Sequence, residues 1–241
     1  MNRPINAKNS SGKKEEEIAS VVNRRLFLRS AGLATSLGTI VISAACSDDD
    51  PDPMIPGTGD AVDLGSGDIG VLNYAYALEQ LEAAFYEQVI KTPYAGITDA
   101  EKTILTDIRD HEVVHRDFFK AALGDKAIKG LTPNFATIDF SKRDAVLGAA
   151  KLFEDTGVAA YNGAGKLLKD SGYLLLAGKI VSVEARHAAV IRDLINPKSA
   201  DFAGDDVLNT DGMDKAVAPA DILAAVKGYV TDNITGANVG K

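Results

Sequence analysis

The sequence predicts an all-α protein built around a bundle of four helices, and three observations carry this prediction. Two stretches contain the same Glu-x-x-His motif, at residues 112–115 and 184–187, which lie 72 residues apart. Two further stretches place a Glu seven residues before a Tyr, at residues 79–86 and 154–161. Around each motif, apolar residues recur at steps of three and four, the spacing of a helix face turned towards a core.

The first helix is predicted over about residues 68–91. Its core face consists of Leu72, Tyr76, Glu79, Ala83, Tyr86 and Ile90. Glu82, one turn further along, is a rival to Glu79 as the charged residue of this face. The internal repeat favours Glu79, because the position that corresponds to Glu82 in the third helix is Gly157.

The second helix is predicted to begin at residues 98–101, whose Thr-Asp-Ala-Glu pattern is a capping box. It should continue to about Leu123, where Gly124 is a stop signal. Its core face consists of Leu105, Ile108, Glu112, His115, Phe119 and Ala122. Asp110 and His111 lie off this face, so we expect both at the surface.

The third helix is predicted to open at residues 141–144, a second capping-box pattern, and to end near Lys169. Its core face consists of Leu147, Ala150, Glu154, Gly157 or Val158, Tyr161 and Leu168. The fourth helix should follow the turn at residues 170–172 and end at Asn196, before Pro197. Its core face consists of Ala177, Ile180, Glu184, His187, Ile191 and Leu194.

The connection between helices two and three, residues 124–140, is long enough to cross the bundle end to end. Fully extended it would span roughly 55 Å, at about 3.3 Å per residue. The predicted bundle therefore consists of two hairpins joined by one long crossover. Residues 197–241 are predicted as a C-terminal extension with a short helix after Pro219.

The four core faces bring four carboxylates and two imidazoles into one interior. An ionised group is costly to bury unless something neutralises it. Four glutamates and two Glu-x-x-His histidines are the inward-facing ligand set of dinuclear iron and manganese carboxylate bundles. Two divalent ions would balance four carboxylate charges, so the sequence predicts a dinuclear metal centre.

On these motifs the chain resembles the ferritin-like superfamily, in particular exported bacterial ferritin-like domain proteins related to plant desiccation-related proteins. The resemblance covers about residues 68–196. It implies a ferritin-like four-helix bundle with these metal ligands: Glu79, Glu112, His115, Glu154, Glu184 and His187. Around them we expect Tyr86, Tyr161 and Glu82, with the tyrosine hydroxyls bonded to ligand carboxylates.

Residues 1–46 are predicted to be an export signal. Residues 23–29 resemble a twin-arginine motif, and the apolar stretch that follows is too short for an ordinary membrane anchor. The stretch ends in a sequence that resembles a lipoprotein cleavage box, although Ser43 stands where an aliphatic residue is usual. We therefore expect lipid attachment at Cys46, with an ordinary secretion signal as the alternative. Residues 47–67, rich in Pro, Gly and Asp, are predicted to be a flexible linker.

These features predict twin-arginine export and a lipid-anchored protein of the cell envelope, facing the periplasm or the exterior. The chain has 26 basic and 34 acidic residues; residues 1–45 hold seven of the basic and three of the acidic ones. The remaining chain has 19 basic and 31 acidic residues and a formal charge of −12. Such an acidic chain disfavours nucleic acid as a partner, because binding phosphate needs a basic face.

The ligand set and the resemblance imply two iron ions and an oxidoreductase that reacts with oxygen or peroxide, as a ferroxidase does. Oxygen-rich ligation suits iron or manganese, so a centre of two manganese ions with catalase-like activity is the alternative. A third hypothesis is a metal-binding or stress-protective envelope lipoprotein without turnover. The expected partners are metal ions, a small oxidant and the membrane through Cys46, and a homodimer remains open.

Overall fold

The computed structural model describes residues 61–241. The predicted export signal, the lipidation at Cys46 and residues 47–60 of the predicted linker lie outside the described residues. Four long helices form a bundle: α1 Gly67–Lys91, α2 Asp99–Leu123, α3 Arg143–Gly165 and α4 Ser171–Ile195. α1 packs mainly on α2, and α3 mainly on α4. The predicted all-α four-helix bundle is confirmed.

Most of the predicted helix ends agree with the structure. Thr98 forms the capping box of α2 with Glu101, since the Thr98 hydroxyl accepts from the Glu101 N–H and the Glu101 carboxylate accepts from the Thr98 N–H. Gly124 follows α2 with a φ of 54°, a left-handed conformation that favours glycine. The Asp170 side chain caps α4 by accepting from the N–H groups of residues 172 and 173.

The third helix begins within the predicted residues 141–144, but its predicted capping box and its predicted C-terminal end are wrong. Its N-cap is Lys142, without a side-chain cap, because the Ser141 hydroxyl donates to Asp139 instead. The helix ends at Gly165 rather than near Lys169. Beyond it, the Asp68 carboxylate accepts hydrogen bonds from two backbone N–H groups, those of residues 169 and 170. A contact across the bundle therefore ends the helix earlier than the local pattern predicts.

The crossover between α2 and α3 begins with a 3-10 turn, Gly124–Lys126, and is fixed by aromatic packing. The rings of Phe135 and Phe140 lie 5.8 Å from that of Phe85 on α1. Phe153 on α3 lies 5.0 Å from the same ring. This aromatic cluster packs the crossover onto the two helices that form one side of the bundle.

The C-terminal extension contains 3-10 turns at Ala200–Ala203 and Lys227–Tyr229 and the helix α5 at Pro219–Val226. It passes close to α3 at Gly163, where an added Cβ would lie 1.7 Å from the carbonyl oxygen of Val217. Any larger residue at position 163 would therefore push the extension off the bundle.

The end of the extension pairs with the segment that precedes α1. Strand β1, Val62–Asp63, runs parallel to β2, Ile234–Thr235. Leu64 is fully buried, and the Gly67 N–H donates to the carbonyl of Lys241. Residues 62–66 therefore belong to the folded domain, which corrects the expectation that the linker extends to residue 67.

Arg192 of α4 joins the extension to the bundle. Its side chain is only 2% exposed and forms ion pairs with Asp155 of α3 and Asp206 of the extension. It also donates to the carbonyl oxygen of Asp201.

Within residues 61–241, no helix is both long and apolar enough to cross a membrane.

Candidate metal centre

The six predicted ligands lie together at the centre of the bundle. Each core face delivers its carboxylate inward because the residues around it on that face are apolar and packed. All four glutamates are fully buried, and the two histidines are 9% and 4% exposed. In the order of the chain they are Glu79, Glu112, His115, Glu154, Glu184 and His187.

The ligand atoms form two overlapping groups, and within each group all atoms lie within 4.8 Å of one another. The first group contains Glu79, Glu112, His115 and Glu184. The second group contains Glu112, Glu154, Glu184 and His187. Glu112 and Glu184 are thus common to both groups, and each group has one further glutamate and one histidine of its own.

The spacing of these atoms fits metal ions. Nδ1 of His115 lies 2.8 Å from Oε1 of Glu184 and 3.5 Å from Oε2 of Glu79. Nδ1 of His187 lies 2.8 Å from Oε1 of Glu112. These atoms are buried, yet none has a partner in hydrogen-bond geometry. Donor atoms about 3 Å apart around one point match an ion with bonds of about 2.0–2.2 Å.

The pKa values of the buried glutamates depend on burial, on repulsion between their carboxylates and on attraction from the two histidines. Burial raises the pKa of Glu184 well above its ordinary value, and repulsion from Glu112 adds to the rise. Burial and repulsion from Glu112 also raise the pKa of Glu79 to about 7. Burial opposes the charge of Glu112 as well, but attraction from His115 and His187 outweighs it and lowers the pKa of Glu112 to about 2.

The two histidines supply the positive charge in the metal-free cluster. Burial alone would lower the pKa of His115, but its contacts with glutamates outweigh burial and raise that pKa to about 12. The pKa of His187 is raised to about 10 for the same reason. In the metal-free cluster the protonated rings balance part of the carboxylate charge. A metal ion that binds through Nδ1 would displace the proton on that nitrogen.

Two tyrosines hold ligand carboxylates across the bundle. The Tyr86 hydroxyl on α1 donates to Oε1 of Glu154 on α3, at 2.5 Å. In return, the Tyr161 hydroxyl on α3 donates to Oε1 of Glu79 on α1. Each hairpin therefore positions a carboxylate of the other, and the oxygen left free on each glutamate faces the cluster.

Glu82 is a fifth carboxylate beside the centre, although it belongs to neither group of ligand atoms. It is 3% exposed, and burial with repulsion from Glu184 raises its pKa well above the ordinary value. Gly157 provides the room for it, because an added Cβ there would lie 2.9 Å from Oε1 of Glu82. The structure thus places Glu79, and not Glu82, among the atoms that face His115.

His111 makes a contact that its position in the sequence did not predict. This residue is exposed, as expected for a position off the core face, but its Nδ1 lies 2.9 Å from Nε2 of His187. In the repeat, position 183 of α4 corresponds to position 111 and is Val183, so the imidazole at position 111 has no counterpart in the second Glu-x-x-His helix. Asp110 is exposed and pairs with Arg109.

The comparison with known families agrees with this geometry. The family model of the ferritin-like domain matches residues 67–197, more than half of the 241 residues. The chain belongs to the ferritin-like domain family. The match begins at the first residue of α1 and ends two residues after α4, so the ferritin-like domain is the four-helix bundle. No curated protein matches the chain.

Proposed function

We propose that this ferritin-like domain binds two metal ions and that, loaded with iron, it is an oxidoreductase that reacts with oxygen or peroxide. The observation that carries the proposal is the overlap of the two ligand groups at Glu112 and Glu184. Carboxylates shared in this way are suited to bridge two ions and hold them close together. Four carboxylates also balance the charge of two divalent ions.

Iron is favoured over softer metals by the chemistry of the donors. Each group offers three carboxylates and one imidazole, and such oxygen-rich sites suit iron and manganese. Two iron ions would supply the electrons that reduce oxygen or peroxide. The protein residues would bind and orient these ions, and the buried Glu82 lies beside them without belonging to either group of ligand atoms.

We expect a small oxidant to reach the centre on the side of His115, the ligand with the most exposed side chain. On that side the His115 side chain is 11% exposed, whereas those of the four glutamates are fully buried.

The test is the metal content of the purified protein after anaerobic loading with ferrous iron or manganese, measured by mass spectrometry. We expect about two ions per chain and their loss when Glu112→Ala and Glu184→Ala are combined. The matched control is Glu87→Ala, which removes an exposed carboxylate of α1. If the unaltered protein takes up neither metal, the proposal is wrong.

Activity assays on the loaded protein separate the remaining alternatives. Oxidation of the iron form by oxygen or peroxide, followed by absorbance, supports the oxidoreductase. Disproportionation of peroxide by the manganese form alone would favour the catalase-like alternative. Stable metal binding without turnover in either form would favour a metal-binding or stress-protective role.

A further inference from the structure

A chain of two imidazoles connects the buried cluster with the protein surface. His187 turns its Nδ1 towards Glu112 and Glu154, at 2.8 and 3.4 Å. Its other nitrogen, Nε2, lies 2.9 Å from Nδ1 of His111. The two rings are parallel to within 9°, and His111 is exposed. His187 therefore faces the glutamates of the cluster with Nδ1 and has a hydrogen-bond partner, His111, on Nε2.

The chemistry of imidazole fixes the direction of this hydrogen bond once a metal ion is bound. A ring that binds a metal through Nδ1 uses the lone pair of that atom, so its proton must lie on Nε2. The Nε2–H of His187 then donates to Nδ1 of His111. His111 in turn carries its own proton on Nε2, which points away from this bond.

We propose that His111 is a positioning residue for His187, an inference that rests on the metal binding proposed above. By accepting the Nε2–H, it holds the His187 ring in one orientation and one tautomer. A partner on the outer nitrogen of a ligand histidine orients the ring and makes it a stronger donor. His111 is not itself among the ligand atoms of either group.

This contact makes the two metal positions unequal. The repeat superimposes Glu112 on Glu184 and His115 on His187, but His111 falls on Val183, which has no hydrogen-bonding side chain. Within residues 61–241, Nε2 of His115 has no hydrogen-bond partner. A tyrosine therefore supports one glutamate of each group, but only the histidine of the second group, His187, has a hydrogen-bond partner on its outer nitrogen among the described residues.

A titration of the full chain with Co²⁺ tests the proposal without redox chemistry. We expect unaltered protein to bind about two ions. In His111→Phe, which keeps a ring but removes the acceptor, we expect one ion to bind as before and the other about 10–100-fold more weakly. His111→Asn should restore most of that affinity, because its amide oxygen takes the place of Nδ1 and can accept the same N–H. Val114→Ala, at an exposed position of the same helix, is the control.

A second readout follows the proton itself. In the Co²⁺-loaded protein, the Nε2–H of His187 should give an exchangeable, paramagnetically shifted proton signal. We expect this signal to persist in His111→Asn and to disappear through exchange with water in His111→Phe. A merely structural role for an exposed ring would leave the signal unchanged.

The outcomes separate this proposal from the one on which it rests. If the unaltered protein binds no Co²⁺, the metal centre itself is refuted. If it binds two ions and His111→Phe binds both with unchanged affinity, the centre stands and the role of His111 is refuted. An equal weakening of both positions, with the fold intact by circular dichroism, would also refute it, because the structure connects His111 to one position only.

Discussion

The exchange of tyrosine hydrogen bonds between α1 and α3 gives a prediction about stability. Tyr86→Phe and Tyr161→Phe each delete one hydroxyl that donates to a carboxylate oxygen of a fully buried glutamate. The ring stays in place, so the change removes a hydrogen bond and almost no packing. Because burial and the nearby glutamates raise the pKa of both phenols well above the ordinary value, both remain donors at neutral pH.

The magnitude follows from what remains after the deletion. A buried carboxyl oxygen is left without its donor, and an unsatisfied buried group of this kind costs about 1–3 kcal/mol. We expect each variant to lower the free energy of unfolding of the metal-free protein by about this amount. For a domain of this size, the melting temperature would fall by about 2–4 °C per kcal/mol.

The assay is urea unfolding followed by circular dichroism in the presence of a chelator, with each single variant and the double variant. The control is Tyr173→Phe on α4, a half-buried tyrosine whose hydroxyl has no hydrogen-bond partner within residues 61–241. Unchanged midpoints for both single variants, or an equal loss in the control, would refute the reasoning. A double variant that loses less than the sum would show that the two pairs are coupled through the cluster.

Three further predictions concern the surroundings of the cluster. Arg192→Met should lower the free energy of unfolding by about 3 kcal/mol, because it leaves two aspartates without their buried partner; urea unfolding measures this loss. Gly157→Ala should overpack the core by about 1–3 kcal/mol, because the new Cβ would lie 2.9 Å from Glu82; its melting temperature measures the effect. The pKa values of Glu184 and His115 are raised in the folded state. Their stabilising contributions are therefore complete below their unfolded pKa values, about 4.3 and about 6.5, and are lost as the pH rises towards their folded values. The metal-free protein should thus become less stable from pH 5 to pH 9, while added metal, which displaces protons, should stabilise it more at the higher pH; melting curves with chelator and with metal measure both trends.

Matched controls sharpen these three tests. Lys151→Met removes an exposed partner of Asp206 and should change the stability by less than about 1 kcal/mol. Gly148→Ala, on the same helix as Gly157 but with open space around it, should be neutral or stabilising by up to about 1 kcal/mol. Equal changes in melting temperature for Gly157→Ala and Gly148→Ala would contradict the crowding at Glu82. A stabilisation by metal that does not depend on pH would contradict the displacement of protons by the metal.

The sequence predicted the helices and their inner faces because both depend on local spacing. The core positions of α1 to α4 repeat at steps of three and four, and the Glu-x-x-His pairs stand out against apolar neighbours on those faces. Glu79 was favoured over Glu82 from the repeat alone, and Glu79 lies among the atoms that face His115. Metal binding by these residues stays a prediction.

The features that escaped prediction depend on partners far apart in the chain. Strand β1 pairs with residues about 170 positions later, so two short segments gave no periodic signal. The third helix ends early because Asp68, on another helix, accepts hydrogen bonds from the backbone beyond it. His111 looked like a surface residue because its partner lies on α4, and only the docking of the two hairpins brings the rings together.

Each group of candidate ligands takes residues from both hairpins, so within residues 61–241 neither hairpin alone contains a complete candidate metal site. The first hairpin provides Glu79, Glu112 and His115, but its group is completed by Glu184 of the second. The second hairpin depends on Glu112 of the first in the same way. The bundle thus resembles a dimer within one chain, with the cluster on its interface. An ion bound in either group would contact both hairpins and stabilise their association. A mutation that weakens the packing of the two hairpins should therefore also lower the metal affinity.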